Sequence, residues 1–395
     1  MKFSSASKAR ARVLGVLAAS AALAATVISA GPAQAALSGS DWTEHALPAH
    51  YSIGEGAPLS PVSCVTGTQF CVVIASDSAN LVDGTYIGQA AMVTTDSGQT
   101  WTGYPLPTSI RVTGVSCPSS SVCWASGTGW LSDAPQVARS VDGGQTWTDM
   151  TPAAWSSAEW WPNAIDCVSV TTCWLAGLDW AGGLQNPAAE ETSDGGATWT
   201  AFSNLPKIVS RDPNGTYELD GISCVSADSC VVVGGLNEAD GTAAVISTFN
   251  GGATWIRSIS PTLRSMEELF SVSCLRAAYG MTTCYGAGTT QEAAGPVAVV
   301  SLDGGAAWVE SRKFDDTGWL NSISCVTAAN CWAAGAGTTV ALVGTADLGR
   351  TWAKVTSDTS NIDGSVSCLS ANVCVATTDN GLWVTSDDGG LSAAR

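Results

Sequence analysis

The chain has 395 residues, with 34 Asp and Glu against 16 Lys and Arg, a formal net charge of −18 at pH 7. A surface this acidic repels nucleic acid and anionic lipid and suits a dissolved, exported protein. Beyond the first thirty residues no stretch approaches the roughly 18 consecutive apolar residues of a membrane helix, so no membrane insertion is expected.

The N-terminus reads as an export signal. Lys2, Lys8, Arg10 and Arg12 make a basic start, Val13 to Ala30 is apolar and alanine-rich, and Ala33-Gln34-Ala35 is a small-x-small cleavage site. Cleavage before Ala36 leaves 12 basic residues against 34 acidic ones, a formal −22. Residues 36–395 then form one domain, secreted and extracellular. Ser40-Asp41-Trp42-Thr43-Glu44-His45-Ala46-Leu47-Pro48 follows and reads as a strand detached from its partners.

From there two signatures alternate at a period near fifty residues. The first is a cysteine pair: Cys64 with Cys71, Cys117 with Cys123, Cys167 with Cys173, Cys224 with Cys230, Cys274 with Cys284, Cys325 with Cys331 and Cys368 with Cys374. The second is a box such as Ser140-Val141-Asp142-Gly143-Gly144-Gln145-Thr146-Trp147. It starts at Thr94, Ser140, Thr192, Thr248, Ser301 and Thr345, with its Trp at 101, 147, 199, 255, 308 and 352, and returns without Trp at Thr385 to Ser392. Such periodicity means one supersecondary unit repeated, each copy burying its faces against its neighbours.

Within a repeat, Ile222-Ser223-Cys224-Val225-Ser226-Ala227-Asp228-Ser229-Cys230-Val231-Val232-Val233 is an apolar strand, a polar turn and a second apolar strand. Opposed residues of a non-hydrogen-bonded antiparallel pair lie within disulfide range, so each cysteine pair is expected to staple its own hairpin. A zinc site has only His45 and His50 to complete it, and in an exported chain paired cysteines read as disulfides. A third strand runs into the box, and a fourth leaves from its Thr-Trp. In the box, Asp caps turn N–H groups, Gly supplies a positive φ and Trp covers the hairpin end. Four-stranded antiparallel units in radial array make an all-β propeller, here with seven blades. The seventh repeat lacks a fourth strand, so the strand carrying Trp42 is expected to complete that blade and close the ring.

The pattern Ser/Thr-x-Asp-x-Gly-x-Thr-Trp resembles the Asp-box, or BNR repeat, of sialidases, xyloglucan-degrading glycosidases, sortilin-type receptors and the photosystem II assembly-factor propeller. The resemblance spans the mature chain and specifies fold rather than activity. Seven blades are what the assembly factor implies, whereas sialidases imply six and sortilin-type receptors ten. The Arg-Ile-Pro motif of sialidases is missing, and Asn250 and Ala307 replace the box Asp and Thr in repeats four and five.

Cysteine turns and boxes share one face of the disc, leaving the other to the long, irregular loops where binding concentrates. Six tryptophans, Trp130, Trp155, Trp160, Trp161, Trp180 and Trp319, fall in those loops, and five of them are expected to cluster between repeats two and three as a stacking or hot-spot surface. Six residues before the first cysteine of each pair stand Pro58, Arg111, Trp161, Glu218, Glu268, Trp319 and Ile362, a ring near the central channel. Neighbouring carboxylates at Glu218 and Glu268, with Asp220, Glu267, Asp315 and Asp316 nearby, are the groups that acid/base cleavage of a glycosidic bond requires.

The expectation is a monomeric, non-catalytic propeller that binds an extracellular glycan or protein through Arg111 and the loop tryptophans, with no cofactor and no metal. The alternatives are a glycoside hydrolase or polysaccharide lyase using Glu218 and Glu268, and an assembly or scaffold factor. Asn214-Gly215-Thr216 fits a glycosylation sequon.

Overall fold

The computed structural model describes residues 42–53, 60–82, 86–157, 160–180, 186–206, 216–237, 242–276, 281–291, 295–337, 342–354, 364–378 and 381–385. The expected signal segment, Pro58, Ile362, Asn214 and most of the seventh box lie outside the described residues, as does the side chain of Trp383. Among the described residues, every regular element is a strand except the short 3-10 turns Ala153–Ser157 and Pro261–Ser265.

These strands build an all-β propeller with antiparallel four-stranded blades. Repeat four shows the unit: Thr216–Ser226, Ser229–Asn237, Ala244–Thr248 and Ile256–Arg257, paired in sequence order. The seven disulfides join the cysteines that the spacing pairs, each within its own hairpin. Cys64 bonds Cys71, Cys117 bonds Cys123, Cys167 bonds Cys173 and Cys224 bonds Cys230. Cys274 bonds Cys284, Cys325 bonds Cys331 and Cys368 bonds Cys374, so no cysteine is free. Their Cα atoms lie 3.9 to 4.1 Å apart, the spacing of a narrow antiparallel pair. Two sheets depart from the simple unit. Tyr51–Ser52 adds a fifth strand beside Cys71–Val82, and repeats four and five merge through the single pair Gly235↔Glu268.

The N-terminal strand does what its composition suggested. Trp42–His45 pairs antiparallel with Gly381–Thr385, in the register Trp42↔Thr385 to His45↔Leu382. Trp42 is buried, its ring 5.3 Å from that of Trp332 in an edge contact, within a cluster that includes Leu342, Val366 and Ala376.

The first strands of consecutive repeats touch one another in a closed cycle, Val62–Cys64 meeting Val366–Ser370. A circuit of hydrogen bonds runs along this cycle. Each first cysteine of a pair donates its N–H to the side chain that precedes the first cysteine of the previous repeat. Cys117 donates to Ser63 Oγ (2.9 Å), Cys167 to Ser116 (3.0 Å), Cys224 to Asp166 Oδ2 (2.6 Å) and Cys274 to Ser223 (2.9 Å). Cys325 donates to Ser273 (3.1 Å), Cys368 to Ser324 (3.1 Å), and Cys64 returns the circuit to Ser367 (2.9 Å).

The box closes on itself and on its neighbours. In the third, Asp194 accepts the Thr198 N–H (2.9 Å), the Thr198 hydroxyl (2.6 Å) and the Thr192 hydroxyl (2.9 Å); the Thr198 bonds hold its carboxyl down to about 2. Asn250 reproduces the pattern with an amide that donates to Thr254 Oγ1, and Ala307 keeps only the backbone bond to Asp303. The first box glycine donates to the cysteine turn of its own repeat, as Gly195 N–H does to Thr171 O (2.9 Å), so both share one face. The second has positive φ and presses on the preceding repeat: a Cβ on Gly252 would sit 2.2 Å from the Phe202 ring.

Asp166 stands where the other six links use serine. Burial drives its carboxyl up to about 6, against the bonds it accepts from Cys224 N–H, Cys167 N–H and Ser116. A raised folded-state pKa favours folding below the unfolded value near 4, and that advantage is lost as pH rises through 6. Asp166→Ser is therefore expected to gain about 1–3 kcal/mol relative to the parent between pH 4 and pH 7. Denaturant unfolding at pH 4, 5, 6 and 7 reads this, and a pH-independent difference refutes it. Trp42→Ala is expected to cost about 3–5 kcal/mol in the same assay, while the exposed neighbour Thr43→Ala stays within about 0.5 kcal/mol.

Candidate functional site

Five ring positions are described, and their backbones are built alike. Arg111, Trp161, Glu218, Glu268 and Trp319 lie on the first strands opposite Thr128, Leu178, Gly235, Thr289 and Ala336. In each repeat the register slips immediately afterwards, between residues 112/114, 162/164, 219/221, 269/271 and 320/322. The cause is a glycine four residues after the second cysteine. The carbonyl of each ring residue lies so close to Gly127, Gly177, Gly234, Gly288 or Gly335 that a Cβ there would be 1.9 to 2.0 Å from its oxygen. A bulge of this kind re-aims the side chain before it, and the repeated device gives the five residues a common row.

The carboxylates of repeats four and five gather on this row. Glu218 pairs with Gly235, and Gly235 pairs with Glu268, so the two glutamates flank a residue without a side chain. The space above Gly235 is taken by Glu268, whose Cγ would lie 2.8 Å from an added Cβ. Glu218 accepts the Asn163 amide (2.8 Å), which also reaches Leu219 O (3.1 Å). Asp220 is the third member. It shares a hydrogen bond with Glu268, and burial, then the charges of Glu268 and Glu218, push its carboxyl well above the usual range. Burial raises Glu268 to about 7 against its bond to Asp220, with Glu218 and the exposed Glu267 adding to the rise. One proton is thus held between Asp220 and Glu268 near neutral pH. Although Asp220 keeps partial exposure as a residue, its Oδ2 is sealed from solvent and has no hydrogen-bond partner among the described residues. Asp315 is exposed, and Asp316 accepts the Thr317 N–H.

The tryptophans do not form the single cluster expected of them. Trp160 and Trp161 open the strand Trp160–Cys167, so they point to opposite faces. Trp160 enters the core between repeats two and three with Trp124, Ile165 and Leu175. Trp155 is carried under it by the turn Ala153–Ser157, 5.2 Å from the Trp160 ring and 5.7 Å from Trp199. Its indole N–H bonds Glu190, whose burial raises that carboxyl to about 7. Trp155 and Trp160, 6% and 5% exposed, are core residues and offer no binding surface. Trp161 remains 37% exposed, 5.5 Å from the Trp180 ring at 58°, with its N–H on Asp133 O (3.1 Å). Trp319 is 39% exposed, and Trp130 is half-buried with its N–H on Ile110 O (2.9 Å). Arg111 belongs to the row next to Trp161, its Nε sealed from solvent and unpartnered among the described residues.

Two depressions of about 490 and 480 Å³ lie on the opposite face, lined by cysteine turns and boxes at the seams of repeats four/five and one/two. Among the described residues no three His, Cys, Asp or Glu are grouped to hold a metal ion, and no helix is long and apolar enough to cross a membrane.

No family model and no curated protein matches the chain. Solved structures do. YCF48 bound to D1 peptide is similar at TM-score 0.57 and 16% identity, covering 90% of this chain and 98% of its own. YCF48 from Cyanidioschyzon merolae aligns at 0.57 and 15%, over 87% and 98%. An ulvan lyase of polysaccharide lyase family PL25 aligns at 0.52 and 10%, over 90% and 96%. At these identities the likeness is one of fold: this chain is a β-propeller. A D1-peptide-bound YCF48 and an ulvan lyase are similar to it in that fold.

The two classes of tryptophan separate by stability. Trp155→Ala is expected to cost about 3–5 kcal/mol and Trp161→Ala less than about 1. Chemical denaturation of both variants checks the assignment, and equal losses overturn it.

Proposed function

We propose that this protein is an exported, non-catalytic, seven-bladed propeller of the Asp-box type that holds a peptide or glycan at the mouth of its ring. Seven stapled hairpins and the hydrogen-bond circuit that returns from Cys64 to Ser367 support the count of blades. The basic-apolar start with Ala33-Gln34-Ala35, together with disulfides that need an oxidising compartment, supports cleavage before Ala36 and secretion.

The observation that carries the binding reading is the row on the first strands. Four consecutive repeats place Trp161, Glu218, Glu268 and Trp319 at equivalent positions, and both tryptophans keep more than a third of their surface exposed while Trp155 and Trp160 are buried. Aromatic rings held on a rigid scaffold beside polar groups are a recognition surface. The similar YCF48 structure holds D1 peptide, which is compatible with a ligand-binding role.

One observation favours the second reading, a polysaccharide hydrolase or lyase: Glu268 titrates near neutrality beside a second carboxylate, as a general acid must. A peptide and glycan array followed by two variants decides between them. Under the binding reading, Trp161→Ala weakens the recovered ligand about tenfold, equivalent to roughly 1–3 kcal/mol, with the melting temperature unchanged. Turnover of a polysaccharide that falls at least about a hundredfold in Glu268→Gln replaces binding with catalysis.

A further inference from the structure

We propose that the row from Trp161 to Trp319 recognises a lysine- or arginine-bearing polypeptide segment, whose cationic side chain enters between Glu218 and Glu268 while its alkyl stem lies against Trp161. The inference rests on the binding reading above and names the ligand.

Four features converge on it. Glu218 and Glu268 face each other across Gly235, both half-buried and reachable from the row. Asn163, two residues beyond Trp161 on the same strand, fixes Glu218 and ties the acid pair to the aromatic one. Asp220 lies behind them with an enclosed Oδ2 that has no partner among the described residues, and with a carboxyl raised first by burial and then by the charges of Glu268 and Glu218. Trp161 and Trp319 bracket the acids on either side, in the repeats that touch theirs. Carboxylates beside exposed indoles are the surroundings that stabilise an ammonium or guanidinium group, by charge-assisted hydrogen bonds and by attraction to the ring face. A cation placed there relieves the repulsion among Glu218, Asp220 and Glu268, and the proton shared by Asp220 and Glu268 leaves to solvent.

A peptide suits the site better than an amino sugar. Trp161 and Trp180 meet at 58° with 5.5 Å between centroids, and the Trp161 N–H is engaged by Asp133 O. A tilted pair makes a notch for an extended alkyl chain rather than a flat platform for a pyranose ring.

The acids around the pocket are Glu218 and Asp220 on one strand and Glu267 and Glu268 on the next, and Asn163 facing them is neutral. Ordinary surface carboxylates are fully ionised at both pH 5.5 and pH 8, so non-specific attraction by the acidic surface changes little between those values. Occupation of this pocket changes strongly.

The test is calorimetric titration of the protein with hexalysine. The expected result is saturable 1:1 binding, at least tenfold tighter at pH 8 than at pH 5.5, with proton release at pH 7 revealed by comparing buffers of different ionisation enthalpy. In Glu218→Gln/Glu268→Gln, checked for an unchanged melting temperature, affinity falls at least tenfold and the pH dependence disappears. Trp161→Ala weakens binding but keeps the pH dependence. No saturable binding, equal affinity at the two pH values, absence of proton release, or a double variant that binds like the parent each overturns the proposal. The proton-release measurement needs only the parent protein and stands if a variant misfolds. Should hexalysine fail while Trp161→Ala still weakens a ligand from the array, the cationic ligand is wrong and the binding mouth survives.

Discussion

The hydrogen bond from each first cysteine to the preceding repeat follows from where the disulfides sit. Opposed cysteines with Cα atoms about 4 Å apart occupy a narrow, non-hydrogen-bonded pair, whose N–H groups point away from the partner strand. At its cysteine the first strand is also unpaired on its other side, even in repeat five, where that strand meets its neighbour only at Glu268. Its cysteine N–H must find an acceptor beyond its partner strand or pay desolvation unrelieved. A short side chain from the neighbouring repeat, Ser63, Ser116, Ser223, Ser273, Ser324 or Ser367, supplies one, and Asp166 does so once. The staple inside each repeat thereby creates the bond between repeats. That mutual dependence leaves no repeat satisfied until the ring is complete.

A second set of contacts fixes the outer packing. The box is a local device, with Asp and Thr bonding within eight residues, but its second glycine is set by the neighbour. Gly98 presses on Val384 of the last repeat, Gly196 on the Trp124 ring and Gly252 on the Phe202 ring. Positive φ and lack of space make the same demand there. Trp42 and Gly98 therefore secure the closing repeat from both sides, one by strand pairing and one by contact.

The acid cluster shows a cost that the scaffold tolerates. Three carboxyls meet at the seam where repeats four and five merge, and burial outweighs the hydrogen bonds they accept, so two titrate far above their usual range. Nothing in the ring requires acids at Glu218 or Glu268: other repeats place Arg111, Trp161 and Trp319 at the same position on the same bulge. Burial of acids that the fold does not need is the feature on which the proposed binding site rests.

The repeat period, the seven pairings, the box turns and the closing strand were all legible from residue order. Each depends on partners within about a dozen residues, or on one missing strand matched by one spare. The serine before six of the seven first cysteines was equally visible, in Val115-Ser116-Cys117 and Ile323-Ser324-Cys325 among others, as was the glycine four residues after the second cysteine of repeats two to six. Their meaning was not, because the acceptor and the bulge appear only once strands are side by side. The division of the tryptophans depended on where a strand begins: starting at Trp160 sends that ring inward and Trp161 outward, and a shift of one residue reverses both. The joining of Asp220 to Glu218 and Glu268 was settled by packing between repeats, since electrostatic coupling depends on distances in space and on the burial that neighbouring strands impose.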